Sequence, residues 1–289
     1  MKASAFDYVR AASLEDALAL LARHGAASKL LAGGQSLLPA LNLRLSAPEI
    51  LIDISRIDSL RGITVADGVL RIGALTRHAD VLQSPEIAAH APLLAQAMAH
   101  VAHPAIRTRG TFGGSLANAD PSAELPACTL ALGARIRTAS SRGQRIIPAE
   151  DFFTGLFATA LAEDEILTEV EFDVSTRGDA SGFQELSRRS GDYAIVGLAA
   201  HGRLAQGRFS ALRLGYFAVG TTATLARNAA AALIGRDIPT ALPEAEAAVA
   251  RDLDPHDDLQ ANAATRLHLA RVLLRRVVLG MAPALKDAA

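Results

Sequence analysis

The sequence contains no tryptophan and one cysteine, Cys128, and only 4% of its 289 residues are aromatic. A single thiol cannot close an intrachain disulfide, and it cannot supply the thiolates that an iron–sulfur cluster requires, so both are excluded for this chain. No stretch reaches the ~20 uninterrupted apolar residues of a membrane-spanning helix. The opening residues MKASAFDYVRAASLEDALALL are broken by Asp7, Arg10, Glu15 and Asp16. Neither a secretory signal nor an anchor is therefore expected, and the chain is placed in the cytoplasm. Charge of one sign is not in excess: the formal net charge is −1 and 20% of residues are charged, so no nucleic-acid partner is implied. Two motifs are also missing. Without G-x-G-x-x-G after a strand, or G-x-x-x-x-G-K-[ST], the chain lacks the standard dinucleotide and phosphate cradles. No Ser-His-Asp order and no internal repeat is present.

What is present is core material in plenty, with half of the residues hydrophobic, and a length that favours two packed units. Ser13 followed by Asp16 marks a helix start, and Leu14, Ala17, Leu18 and Leu21 repeat with helical spacing up to Gly25. Lys29–Ala32 is a strand that stops at Gly33-Gly34, and Leu37, Leu38, Leu41 and Leu45 resume a helical spacing, so this glycine pair is a strand-to-helix turn. Strands over Ile50–Ile54 and Val69–Ile72 complete a β-α-β start that leads to a partly parallel sheet. A helix is expected from Ile87 to Val101, closed by Pro104, with a second glycine turn at Gly113-Gly114. Further strands are expected at 134–138, 144–147, 166–174, near Phe183, and at 211–219, and helices at 223–234 and 265–279. The loop-like stretch Thr176–Gly182 sets a boundary between residues 1–176 and 177–289.

The two glycine turns, eighty positions apart, carry the chemistry. In Ala32-Gly-Gly-Gln-Ser36 and Thr111-Phe-Gly-Gly-Ser115 the missing Cβ atoms let backbone N–H groups approach an anion, and Ser36 and Ser115 each add a hydroxyl donor. A pyrophosphate suits such a cradle, aided by a helix start after Gly34. Other groups read as structural. His100 and His103 have no third ligand nearby in sequence. Arg266, Arg271, Arg275 and Arg276 give the last helix a basic, solvated side. Cys128 lies in the apolar segment 125–132 as a buried small side chain, and Asp53, Asp151 and Glu185 have no recognisable acid–base partner.

The strings KLLAGGQSLLP, RGTFGGSLANADPSAELPA and SRRSGDYAIVGLAA resemble the FAD-binding medium subunit of the xanthine dehydrogenase and carbon monoxide dehydrogenase family, over nearly the whole chain. The resemblance implies an α+β fold: a two-part FAD-binding domain of the vanillyl-alcohol-oxidase type, a small β-α-β unit plus a mixed sheet, then a C-terminal domain with a small antiparallel sheet flanked by helices. It implies that Lys29, Leu30, Leu31, Ala32, Gly33, Gly34, Gln35, Ser36 and Leu37 form the first FAD loop. Thr111, Phe112, Gly113, Gly114 and Ser115 form the second, followed by Asn118, Asp120 and Glu124 toward the ribose and adenine. Leu167 and Gln184 match flavin-touching positions, and Tyr193 matches an aromatic residue near the isoalloxazine. Ser115, Gln184 and Thr108 depart from the family's common residues without removing a backbone donor. The implied partners are a molybdopterin-binding large subunit and a small subunit with [2Fe-2S] clusters, in a dimer of heterotrimers, with FAD passing electrons to oxygen, NAD or a quinone-type acceptor. With one cysteine, the variant carrying a [4Fe-4S] cluster in this subunit is excluded. A free-standing FAD oxidoreductase and a flavin-free accessory protein of the same fold are the competing readings.

Overall fold

The computed structural model describes residues 2–282, arranged around three larger sheets and one two-stranded one. The first is small and wholly parallel: β1 (Asp7–Arg10), β2 (Ser28–Leu31) and β3 (Ile50–Asp53), in the order β1-β3-β2. Helix α1 (Leu14–His24) links the first two strands. Its start follows the expected chemistry: the Ser13 hydroxyl accepts from the Asp16 amide at 3.2 Å, and the Asp16 carboxylate accepts from the Ala12 amide at 2.9 Å. Ala17, Leu20 and Leu21 then bury one helix face against Ile52 and Ile54. Strand β1 escaped the sequence reading because Asp-Tyr-Val-Arg is mostly exposed and has no apolar run.

Helix α2 (Leu37–Asn42) follows β2. After β4 (Ile63–Ala66), β5 (Val69–Gly73) enters a second sheet rather than the parallel one, as a corrected assignment of Val69–Ile72. Helices α3 (His78–Gln83), α4 (Pro85–His90), α5 (Pro92–Met98), α6 (Pro104–Arg107), α7 (Phe112–Asn118) and α8 (Glu124–Leu132) come next. The single helix expected over 87–101 is thus two, because Pro92 has no amide to continue the ladder and forces Ala91 out of helical geometry (φ −144°, ψ 60°). Strands β6 (Arg135–Ser140) and β7 (Gly143–Pro148), helix α9 (Ala149–Phe152), a hairpin of β8 (Phe153–Gly155) and β9 (Ala158–Thr159), and β10 (Ile166–Asp173) complete this unit. The second sheet runs β4-β5-β10-β6-β7 with every pairing antiparallel, so parallel pairing is confined to the small sheet. Its solvent side is held by Glu171, which accepts from Arg71, Arg135 and Arg137 across neighbouring strands.

The remaining chain makes an antiparallel meander of β11 (Asp179–Ser187), β12 (Ala194–Ala205), β13 (Arg208–Phe217) and β14 (Thr224–Leu225). Only Thr176–Gly178 remain loop in the stretch expected to be open, because the Asp179 carboxylate accepts from the Thr176 amide at 2.7 Å and starts β11 there. One face of the meander is covered by α10 (Arg227–Leu233) and α12 (Ala263–Met281), and α11 (Ile238–Asp252) packs on both helices. Its other face packs on α5 and α8. There Phe183 and Phe217 stack with centroids 5.8 Å apart and join the core of the first unit. Helix α11 was not foreseen, since Pro243 lies inside it; the proline withholds the amide that would have met the Pro239 carbonyl, and the burial of Ala241, Leu242, Ala245 and Ala248 carries the helix through that position. The basic side of α12 also differs from expectation. Arg266 is buried, donating to the Ile195 and Ala218 carbonyls and to Asp258, and Arg275 pairs with Glu246 at 2.7 Å.

Candidate functional site

The two glycine segments meet. A Cβ on Gly33 would lie 2.3 Å from the Arg109 carbonyl oxygen and 2.9 Å from the Gly110 Cα, and one on Gly114 would lie 3.8 Å from the Ala32 Cβ. The seam between the parallel sheet and the second unit is therefore closed by backbone lying against backbone, which only glycine permits at position 33.

Their roles are unequal. Strand β2 carries Lys29, Leu30 and Leu31 to the first segment, where Gly34 takes a left-handed conformation (φ +73°) and the Gln35 side-chain amide donates to the Gly33 carbonyl at 3.1 Å. Among the described residues, the amides of Gly33, Gly34, Gln35, Ser36 and Leu37 donate to no protein acceptor, and the Ser36 hydroxyl is likewise unengaged. Consecutive unspent donors of this kind form an anion-binding concavity. The second segment was expected to be a similar turn with free amides, and the structure corrects this. Thr111 caps α7 by accepting from the Gly114 amide at 3.2 Å, while the Phe112 amide donates to Thr76 (2.9 Å), Gly113 to Ala74 (2.8 Å) and Ser115 to Thr111 (3.0 Å). Gly113 is glycine because a Cβ there would sit 2.6 Å from the Ala74 Cβ. Phe112 is fully buried, edge-on to Phe172.

His78 holds the second segment in place and was not anticipated, for nothing in its spacing marks it. Its amide donates to the Gly110 carbonyl and its Nε2 lies 3.0 Å from the Thr111 carbonyl oxygen. Burial pushes its imidazole down to about 4, so at neutral pH it is uncharged and Nε2–H is the donor.

The other expected residues spread along one seam. Asn118 ends α7, and after Ala119 (φ +48°) the Asp120 carboxylate accepts from the Ser122 amide at 2.9 Å. Burial raises the Asp120 carboxyl above its ordinary value. Glu124 opens α8; burial foremost, together with the charges of Glu185 and Asp120, pushes it up to about 7. Leu167 is buried on β10 and Gln184 half-buried on β11. Tyr193 is no core residue: it is 61% exposed and shares the wall of a cleft of about 290 Å³ with Asp120, Ser122 and Phe157.

Two carboxylates read as unpartnered have partners. Asp53, at the end of β3, accepts from the Tyr8 hydroxyl, from Arg10 Nε at 3.2 Å and from the Ser55 amide at 2.8 Å. Glu185 Oε1 lies 3.5 Å from His100 Nδ1, and this bond raises the His100 imidazole above its usual value. His103 faces elsewhere, against Gly191. Cys128 is fully buried in α8 and burial lifts its thiol well above the ordinary range. Among the described residues no group of three or more His, Cys, Asp or Glu is placed to hold a metal ion, and no helix is long and apolar enough to cross a membrane.

The family model for the FAD-binding domain in molybdopterin dehydrogenase matches residues 4–172, and that for the CO dehydrogenase flavoprotein C-terminal domain matches residues 181–281. The chain is 41% identical over 280 residues to the 6-hydroxypseudooxynicotine dehydrogenase complex subunit alpha of Paenarthrobacter nicotinovorans, covering 96% of this chain and 95% of that one. It is 35% identical over 274 residues to the carbon monoxide dehydrogenase medium chain of Hydrogenophaga pseudoflava, covering 94% and 96%. Among solved structures, carbon monoxide dehydrogenase from Hydrogenophaga pseudoflava superposes with a TM-score of 0.95 at 37% identity, covering 98% of this chain and 99% of that one. Quinoline 2-oxidoreductase from Pseudomonas putida 86 gives 0.93 at 38%, with the same coverage.

Proposed function

The chain belongs to the FAD-binding medium subunits of the molybdenum hydroxylases, and from that premise we propose that its first glycine segment holds the FAD pyrophosphate while the second sets the position of the first. The chain is an oxidoreductase subunit whose cofactor is FAD. When bound, FAD supplies the redox chemistry, accepting electrons from an iron–sulfur partner and passing them to an external acceptor. The observation that carries the site assignment is the run of unspent amides from Gly33 to Leu37, laid against the backbone of Arg109 and Gly110. Five donors and the Ser36 hydroxyl match a doubly charged pyrophosphate in number and in sign, and their pre-set geometry lowers the ordering cost of binding.

The other residues of this chain orient and enclose. Lys29, Leu30, Leu31 and Ala32 lead into the cradle. Thr111, Phe112, Gly113 and Gly114 form its rigid floor rather than further donors, leaving Ser115 with only a hydroxyl to offer. Asn118, Asp120 and Glu124 line the path onward, and Leu167, Gln184 and Tyr193 border the flavin ring. In this reading residues 1–176 bind the dinucleotide and residues 177–289 close over it. The relatives' names, complex subunit and medium chain, support work within a multi-subunit complex, and we propose that this complex is cytoplasmic, with a molybdopterin-binding large subunit and a [2Fe-2S] small subunit in a dimer of heterotrimers.

Purified chain should be yellow, with flavin absorption bands and one equivalent of FAD released by acid. A colourless preparation that takes up no added FAD contradicts the reading. Molybdenum and iron should accompany the chain when it is isolated from its host, and mass measurement of that complex tests the stoichiometry.

A further inference from the structure

A second opening lies on the seam that the glycine segments close. It is a cleft of about 670 Å³, open to solvent, whose walls come from both parts of the FAD-binding region. From the first part, Arg10 and Asp53 stand at the carboxyl ends of β1 and β3, and Ser55, Arg56, Asp58 and Arg61 follow on the connection to β4. From the second part come Arg77, at the start of α3, and Arg109, two residues before the cap of α7. Five arginines therefore share the opening with two aspartates. The carboxyl edge of parallel strands is also where open α/β sheets receive their ligands.

The charges do not cancel. Asp53 is taken by Arg10 at 3.2 Å, by the Tyr8 hydroxyl and by the Ser55 amide, and Asp58 is met by Arg61 at 3.9 Å. Arg77 donates to the Thr108 carbonyl, a neutral partner that leaves its charge uncompensated. Arg56 and Arg109, both exposed, make no ion pair or side-chain hydrogen bond among the described residues. Three unneutralised guanidinium groups thus surround one opening, Arg56 on one side of the seam and Arg77 and Arg109 on the other. A cleft lined by one sign of charge concentrates the opposite sign, and the guanidinium fork matches phosphate oxygens in pairs. No aromatic or aliphatic side chain lines the walls, so a nucleobase would find nothing to stack on. Recognition falls to the charge alone.

We propose that this cleft binds a multiply charged phosphate anion of the inorganic pyrophosphate class, and that the bound anion staples the seam and slows the release of FAD. The link to the cofactor rests on the FAD reading given above; the anion site itself does not. The cleft is separate from the cradle, for none of Gly33 to Leu37 lines it. The connection between the two is short. Arg109 presents its side chain to the cleft, while its carbonyl oxygen lies 2.3 Å from where a Cβ on Gly33 would stand. Arg77 holds the Thr108 carbonyl and pairs through its backbone with Thr111. An anion gripped by Arg56 from one side and by Arg77 and Arg109 from the other draws the 108–111 stretch against the first part of the domain and keeps the Gly33 contact closed. By linkage, bound FAD tightens the anion by the same factor.

The test uses the FAD-loaded chain, in which the cradle is already filled and inorganic pyrophosphate cannot enter it. Pyrophosphate is titrated by calorimetry in magnesium-free buffer at a fixed ionic strength of about 0.15 M. Wild type should bind it. R56Q and R109Q, whose side chains have no protein partner to lose, should each bind at least about tenfold more weakly. R276Q, which removes an exposed arginine of α12, should match wild type. FAD release, timed by flavin fluorescence after dilution, should slow about fivefold in pyrophosphate relative to chloride of equal ionic strength, and R56Q and R109Q should lose that slowing. No binding to wild type, or equal binding to wild type, R56Q and R109Q, overturns the site. A release rate indifferent to pyrophosphate overturns the staple. An oligoglutamate peptide that binds where pyrophosphate does not also overturns the proposal, because the cleft then serves a partner's carboxylates. If wild type takes up no FAD, the cofactor reading fails instead, and the same titration on the FAD-free chain decides the anion site through the loss at R56Q and R109Q.

Discussion

Gly33→Ala probes the seam at its tightest point. The added methyl would sit 2.3 Å from the Arg109 carbonyl oxygen, where ordinary contact begins at 3.4 Å, so the two segments must part by about 1 Å. Neither side can yield cheaply. The Arg109–Thr111 stretch is anchored by the His78 amide on the Gly110 carbonyl and by the His78 imidazole on the Thr111 carbonyl, and Gly33 sits two residues beyond the paired end of β2. Overpacking of this kind costs about 1–3 kcal/mol of fold stability, or roughly 5 °C in melting temperature for a chain of this size. The effect on cofactor should be larger in proportion. Displacing the run of amides by about 1 Å loses at least one charge-assisted hydrogen bond to a phosphate, about 1.5–3 kcal/mol, which weakens FAD binding roughly 10- to 100-fold. Gly202→Ala is the matched control, because its Cβ would meet the Ala211 carbonyl oxygen at 2.6 Å within the C-terminal meander, remote from the cradle. Both variants should melt earlier in scanning calorimetry, and only Gly33→Ala should lose FAD in a fluorescence titration. Equal FAD affinities in the two variants would refute the argument that Gly33 sets the cradle.

Acid should weaken the fold through His78. Its folded-state value, about 4, lies below the ordinary 6.5, so the unfolded chain binds the proton more readily. Stability is full above about pH 6.5 and falls, by about 3 kcal/mol in total, as the pH drops toward 4. Urea unfolding of wild type and H78Q at about pH 7 and 4.5 should show this pH-dependent loss in wild type and less of it in the variant. Arg266 makes a separate case, since R266M would strip the Ile195 and Ala218 carbonyls of their donor beneath α12. A loss of at least about 2 kcal/mol is expected in the same assay, and unchanged stability would mean those carbonyls are satisfied by water.

Elements whose side-chain pattern follows from burial on one face were legible in the sequence: α1, β2, β3, β5, β6 and α12 all lie close to their expected positions. What was not legible depends on context. β1 forms because β3 offers it an open parallel edge, not because Asp-Tyr-Val-Arg favours a strand. α11 carries Pro239 and Pro243 and reads as a broken segment, yet Ile238, Ala241, Leu242, Ala245, Ala248 and Val249 are buried where it packs on α10 and α12, and that burial outweighs the local penalty. The pairing of Glu185 with His100 spans two elements from opposite halves of the chain, and no local spacing announces such a contact.

The glycine pairs show the same division between pattern and context. Viewed as sequence, Ala32-Gly-Gly-Gln-Ser36 and Thr111-Phe-Gly-Gly-Ser115 are near copies, and near copies invite one role. Hydrogen-bond accounting separates them, because an amide can serve a ligand only if the fold has not already claimed it. In the second segment the amides from Phe112 to Ser115 are claimed by Thr76, Ala74 and Thr111 itself, and its glycines answer to packing: Gly113 to Ala74, Gly114 to the Thr111 hydroxyl. In the first segment the amides are free and Gly33 answers to the Arg109 carbonyl. It follows that a substitution at Gly114 acts first on the cap of α7, by crowding Thr111 Oγ1 at 2.5 Å, and reaches the cofactor only through the floor that α7 provides. One glycine pair makes the cradle, and the other makes the surface against which the cradle keeps its shape.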